Sequence, residues 1–124
     1  MAAEVDVSIS VLLTGLGKDQ TFIHRTTDGT TPTAGTYNYR VLATGDSEEA
    51  LDLGDVAVET VLVIRAIDYD LDIDLDFVTT FNADLTVKAG EPAAVIPNPA
   101  GVIKVKNNGA GETPAYEYLL LGTT

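Results

Sequence analysis

A chain of 124 residues, 45% of them hydrophobic, is the size of one domain and apolar enough to build a core, which excludes wholesale disorder. Nineteen acids against seven bases, net −12, set it against DNA, RNA and anionic membranes, whose phosphates would repel it. With no cysteine there is no disulfide, thiol chemistry or Cys-based zinc site, and no run approaches the ~18 apolar residues of a membrane span.

In chain order the punctuation is that of an all-β protein: short apolar or β-branched runs between clusters of Gly, Pro, Asn, Asp and Thr. "MAAEVDVSIS" lacks the basic and apolar regions of a secretory signal. "VDVSISVLL" (5–13) alternates and ends at "TGLGKDQ". "TFIHR" (21–25) enters a loop of turn formers, "TTDGTTPTAGT". "YNYRVLA" (37–43) ends at "TGDSEE", where Ser47 could cap a single helical turn over 47–51, so at most one short helix is expected. "ALDLGDV" (50–56) follows as a strand. "TVLVIRAI" (60–67) is apolar on both parities and predicts a central strand covered on both faces. "DLDIDLDF" (70–77) alternates strictly, and a turn near Asp68–Tyr69 must separate it from the run before, because 18 residues far exceed the usual ~5–6 of a strand. "DLTVKAGEP" (84–92) and "AAVIPNPAG" (93–101) are short strands. "VIKVK" (102–106), "NNGAGETP" (107–114) and "AYEYLLL" (115–121) read as a hairpin with a long loop. The expectation is one antiparallel β-sandwich over 1–124, jelly-roll-like, of about eight to nine strands.

The residues that could carry chemistry are mostly aspartates. Eleven acids lie between Asp46 and Asp76, with Arg65 as the one base among them. Within "DYDLDIDLDF", Asp68, Asp70, Asp72, Asp74 and Asp76 alternate with apolar residues. A calcium loop needs Gly at its sixth position and Glu at its twelfth; starting from Asp68, Asp70 or Asp72, both positions fail, so no metal ligand is assigned. Aspartates at i and i+2 of a strand sit about 6.6–6.8 Å apart. That matches an inverting glycosidase pair, but without Trp or a cleft the match is only geometric. His24 is the one histidine, and Ser8, Ser10 and Ser47 lie in no nucleophile elbow. The glycines of "NNGAGETP" precede a strand and lack a helix N-terminus for phosphate. No catalytic or cofactor-binding residue is therefore assigned. The aspartates read as the solvated face of an edge or near-edge strand, where like charges discourage pairing with other edges.

The order "ETVLVIRAID", "DLDIDLDF", "ADLTVKAGEPAAV", "GVIKVKNNGAGETPAYEYLLLG" resembles small β-sandwich virion proteins of tailed bacteriophages over roughly residues 37–122. The opening strand and the loop at 26–36 lie outside the resemblance. It implies a non-enzymatic capsid decoration (cement) protein, made in the host cytoplasm and located in the virion, that binds and stabilises the shell. Its partners would be the major capsid protein or other virion proteins and further copies of itself, as in a trimer, with no nucleic acid, membrane or cofactor. Two alternatives remain open: a head–tail or tail accessory protein, and a carbohydrate- or cation-dependent binding module. For the last, Tyr37 with Tyr39 and Tyr116 with Tyr118, each an i, i+2 pair, could form stacking platforms beside Tyr69.

Overall fold

A computed structural model describes residues 3–28, 31–95, 97 and 102–124; the side chains of residues 26–28 fall outside this description. The chain divides into two compact units, residues 1–32 and 33–124. The described residues contain ten strands and no helix, and hence no helix long and apolar enough to cross a membrane.

The first unit is one antiparallel hairpin. Its strands are β1 (Val5–Leu13) and β2 (Gln20–Asp28), paired in unbroken register from Val5 opposite Asp28 to Leu13 opposite Gln20. Gly15 and Gly17 in the connection both adopt positive φ, which lets the chain reverse between two long strands.

The second unit is a sandwich of two four-stranded antiparallel sheets. It comprises β3 (Ala34–Val41), β4 (Glu49–Ala50), β5 (Val58–Ala66), β6 (Leu71–Phe77), β7 (Leu85–Val87), β8 (Pro92–Val95), β9 (Val102–Asn107) and β10 (Ala115–Thr123). One sheet runs β3-β10-β5-β8 and the other β4-β9-β6-β7. Successive strands mostly alternate between the sheets, giving the jelly-roll order, so the all-β sandwich expected from the sequence is what forms. Eight strands build the sandwich and the hairpin adds two, against the eight to nine expected in all.

Alternation decides what fills the core. Tyr116, Tyr118 and Leu120 of β10 point inward with Leu62, Ile64 and Ala66 of β5. Facing them are Leu71 and Ile73 of β6 and Ile103 and Val105 of β9. Each of the Leu, Ile and Val side chains among them contributes about 1.5–3 kcal/mol when fully buried. Pro92 opens β8 at a sheet edge, where its missing N–H leaves no gap in the ladder. β10 shifts register between Leu121 and Gly122, and a Cβ on Gly122 would collide with the Val58 carbonyl, so this bulge requires glycine.

Three expectations need correction. The segments 102–106 and 115–121 do not pair: β9 lies between β4 and β6, and β10 lies between β3 and β5 in the other sheet. The glycine-rich loop therefore bridges the two sheets. The strand expected over 50–56 shrinks to Glu49–Ala50, because the chain turns at Gly54 (φ 55°), whose N–H donates to Asp52 Oδ1 at 2.9 Å. The helical turn that Ser47 could have capped does not form, within the expectation of at most one short helix, and a turn at Gly45–Asp46 leads into β4. Finally, β5 is central as expected but is not covered on both faces, since Val63 and Arg65 point outward. The turn expected at Asp68–Tyr69 is present between β5 and β6.

Candidate functional site

The five aspartates of 68–76 do not form a plain wet face. Asp68 and Asp70 flank the turn and bind backbone amides of neighbouring segments. Asp68 accepts from Ala115 N (2.8 Å), and Asp70 accepts from Ala89 N (2.9 Å) and Lys88 Nζ (3.0 Å). The Ala89 amide, then Lys88, holds the Asp70 carboxyl below the usual range for aspartate. Asp72 accepts from Thr86 Oγ1 (2.6 Å) and Asn108 Nδ2 (3.1 Å). Asp74 is buried, 1% exposed, and accepts from Asp76 N (3.1 Å) and Asn82 N (2.9 Å). The physical reason lies in the segment 78–84, which doubles back on β6: Asp84 N donates to Ile73 O, and Leu75 N donates to Asp84 Oδ2 (2.7 Å). Strand register also sets Asp72 opposite Lys106 and Asp74 opposite Lys104 of β9. The Lys104 ammonium lies 3.9 Å from the centre of the Phe77 ring. Most of the partners of these carboxylates thus lie inside the chain, and many are amide N–H groups.

The same folding-back gathers three carboxylates. One oxygen each of Asp74, Asp76 and Asp84 lies within 4.8 Å of the others, beside an open recess lined by Val78, Thr79, Thr80 and Asn82. Repulsion from Asp84, with the contact to Asp74, raises the Asp76 carboxyl above the usual aspartate range. Three such oxygens are the kind of donors a hard cation takes, although calcium needs six to eight and both Asp74 oxygens already accept amides. Testing the aspartate string against a contiguous calcium loop could not find Asp84, which reaches this corner only because β7 pairs with β6, Leu85 opposite Ile73.

The other groups weighed from the sequence are kept apart by the fold. His24 is opposite Ile9 on one face of the hairpin, while Ser8 and Ser10 project from the other, so neither serine meets the imidazole. In the 107–114 loop, Gly111 N donates to Asp46 Oδ1 (2.9 Å). Asn107 grips Asp46 from both sides, donating Nδ2 to Asp46 Oδ1 (2.9 Å) and accepting from Asp46 N (2.7 Å). These bonds hold Asp46 in a left-handed conformation (φ 65°) and its carboxyl below the usual aspartate range. The loop's amide is committed to a carboxylate of its own chain.

The tyrosines divide by parity. Tyr116 and Tyr118 are not a platform, because alternation on β10 turns both into the core, where their rings stack 6.1 Å apart. Tyr116 donates to Glu49 Oε1 (2.9 Å) and Tyr118 to the Asp52 carbonyl (2.8 Å). Burial, reinforced by Glu49, pushes the Tyr116 hydroxyl far above its ordinary range. Tyr37 and Tyr39 do share an outer face and are 62% and 58% exposed. Register aligns Tyr37, Leu119, Val63 and Ala94 as one row across this sheet, with Tyr39, Glu117, Arg65 and Pro92 as the next. Arg65 pairs with Glu117 at 3.2 Å and Tyr37 donates its hydroxyl to the same carboxylate, which leaves the charge at the centre of the face internally matched.

A second apolar surface belongs to the hairpin. Ile9, Val11 and Leu13 share a face with Phe22, which is opposite Val11, and all four are exposed. The opposite face carries the Asp6–Arg25 ion pair, Ser8, Ser10 and Thr21, together with Leu12 and Ile23 near the tip. Sequence reading found the alternation of 5–13 but had no means of knowing that nothing in the hairpin covers it. Comparison of the chain with protein-family models, curated proteins and solved structures gave no match.

Proposed function

We propose that this chain is a non-enzymatic structural protein of a tailed-phage virion, a capsid decoration protein that binds the shell and stabilises it. The observation that carries the reading is the exposed apolar surface, present twice on one small acidic chain: on the hairpin and on the outer face of the β3-β10-β5-β8 sheet. Monomeric proteins rarely expose apolar patches beyond a few hundred Å² unless these meet a partner. The resemblance of residues 37–122 to small virion proteins supplies the kind of assembly, and the jelly-roll order is one that capsid proteins use among others. Many copies bound to an assembled shell stabilise it by mass action, because only the assembled shell presents the sites. Purified particles should contain the chain in many copies and lose heat resistance without it. Particles equally heat-resistant without it would overturn the reading, and finding the chain only at the head–tail junction or tail would move it to the accessory class.

A second reading, a carbohydrate-binding module, is favoured by the exposed Tyr37 and Tyr39, since neighbouring aromatic faces can stack on sugar rings. Glycan binding abolished by Tyr39→Ala would support it; no glycan binding by the intact chain would remove it.

A further inference from the structure

We infer that Asn108 is a site of spontaneous covalent modification: in the folded chain it loses its side-chain amide to attack by the Gly109 backbone nitrogen, and the corner around Asp72 gains a carboxylate as the protein ages. The inference concerns the chain alone and does not depend on the virion reading.

Such an attack closes a small ring within the chain. It needs a following residue without a Cβ to obstruct the approach, a side chain free to turn, and a backbone nitrogen not engaged elsewhere. Of the five asparagines only Asn108 precedes glycine. The structure meets the other two conditions at Asn108 and withholds them from its neighbour. Asn107 is buried, and its Nδ2 donates to Asp46 Oδ1 (2.9 Å) and to the Gly109 carbonyl (2.6 Å). Its Oδ1 accepts from Asp46 N, and the nitrogen that would attack it, Asn108 N, donates to the Asp70 carbonyl at 3.4 Å. Asn108 itself is exposed at the bend where the chain leaves β9. Its Nδ2 donates to Asp72 Oδ1 at 3.1 Å. Among the described residues, neither Asn108 Oδ1 nor the Gly109 N–H has a hydrogen-bond partner.

The reaction consumes only water. The Gly109 nitrogen bonds to Asn108 Cγ and gives up its proton to solvent. The Cγ–Nδ2 bond breaks, and the nitrogen leaves as ammonia with a proton taken from solvent. Water then opens the cyclic imide at either carbonyl, leaving aspartate, or isoaspartate with the main chain routed through the side-chain carbon. Either product makes the chain one unit more negative than its −12. The new carboxylate stands where Asp72 had an amide donor, in a recess that Asp68, Asp70 and Glu112 also line, so attraction at that point becomes repulsion. Isoaspartate also adds a methylene to the backbone of the loop that bridges the two sheets, whose Asn107 and Gly111 hold Asp46. Modification at this one residue loosens that bridge.

Incubation of the folded chain in mildly alkaline buffer at body temperature tests this, read by peptide mass mapping and by enzymatic methyl labelling of isoaspartate. Asn108 should deamidate at a rate comparable to that of the chain unfolded in guanidinium, while Asn38, Asn82 and Asn107 persist. Gly109→Ala should abolish the reaction over the same period. The atoms nearest its added Cβ belong to the end of the flexible Glu112 side chain, which can swing aside and leave the loop in place. The deamidated form, separated by anion exchange, should have a lower urea midpoint than the unmodified chain, and Asn108→Asp should shift the midpoint in the same direction. An Asn108 that persists in the folded chain while the unfolded chain deamidates would overturn the inference. So would equal loss at Asn107 or an undiminished reaction in Gly109→Ala. A deamidated chain as stable as the original would overturn the loosening of the bridge.

Discussion

Replacing Asp74 tests whether the acidic strand is held by its own chain. Asp74 is 1% exposed, and its two oxygens accept the amides of Asp76 and Asn82 at 3.1 and 2.9 Å. A hydrogen bond to a charged group is worth about 1.5–3 kcal/mol, and the two donating amides belong to the exposed residues Asp76 and Asn82, where water can replace part of what is lost. Asp74→Ala removes both acceptors, for a gross loss of about 3–5 kcal/mol. Removing one of three clustered carboxylates returns roughly 1 kcal/mol through relieved repulsion in a solvated corner. The net expectation is a destabilisation of about 2–4 kcal/mol, or a urea midpoint lower by about 1–2 M at unchanged slope. Asp74→Asn keeps one acceptor oxygen and should lose about half as much. Asp72→Asn is the internal control. Thr86 and Asn108 both donate to Asp72 Oδ1, which an asparagine oxygen can replace, so the change should stay within about 0.5 kcal/mol. Urea unfolding followed by tyrosine fluorescence reads the core directly, because Tyr116 and Tyr118 are buried and the chain has no tryptophan. If Asp74→Ala unfolds within 0.5 kcal/mol of the wild type, or no differently from Asp72→Asn, the claim that amide bonds hold this strand is refuted.

Two further outcomes follow from the same carboxylates. Asp76 is repelled by Asp84 and Asp74, so Asp76→Asn should raise the urea midpoint at neutral pH in chelator; a lower midpoint would mean that the Asp76 carboxylate makes a bond that needs its charge. Asp46 and Asp70 have carboxyls lowered from 3.8, so their bonds stabilise the fold above about pH 4 and lose that contribution as pH falls through the depressed values. The stability gap between wild type and Asp70→Asn should therefore be open at pH 6 and narrow as pH falls below about 4, and a gap unchanged in acid would exclude this linkage.

The composition and the strand pattern were enough to read the all-β class, the turn at Asp68–Tyr69 and most strand positions, because alternation and turn residues act over a few neighbours. Alternation alone also put Tyr37 with Tyr39 and Tyr116 with Tyr118 on shared faces. It could not say which pair faced the core, since that depends on which side of the sheet the second sheet covers. The long-range choices belong to the tertiary structure. A local pattern reads "VIKVK" and "AYEYLLL" as hairpin partners, yet each finds a better-matched neighbour in a different sheet. The aspartate string resembles a solvated stripe until the 78–84 segment returns over β6, brings Asp84 to Asp76 and buries Asp74 beneath amides. Which side chains alternate is a property of the local chain, whereas which of the two faces meets water depends on residues tens of positions away. Only the folded chain brings those together.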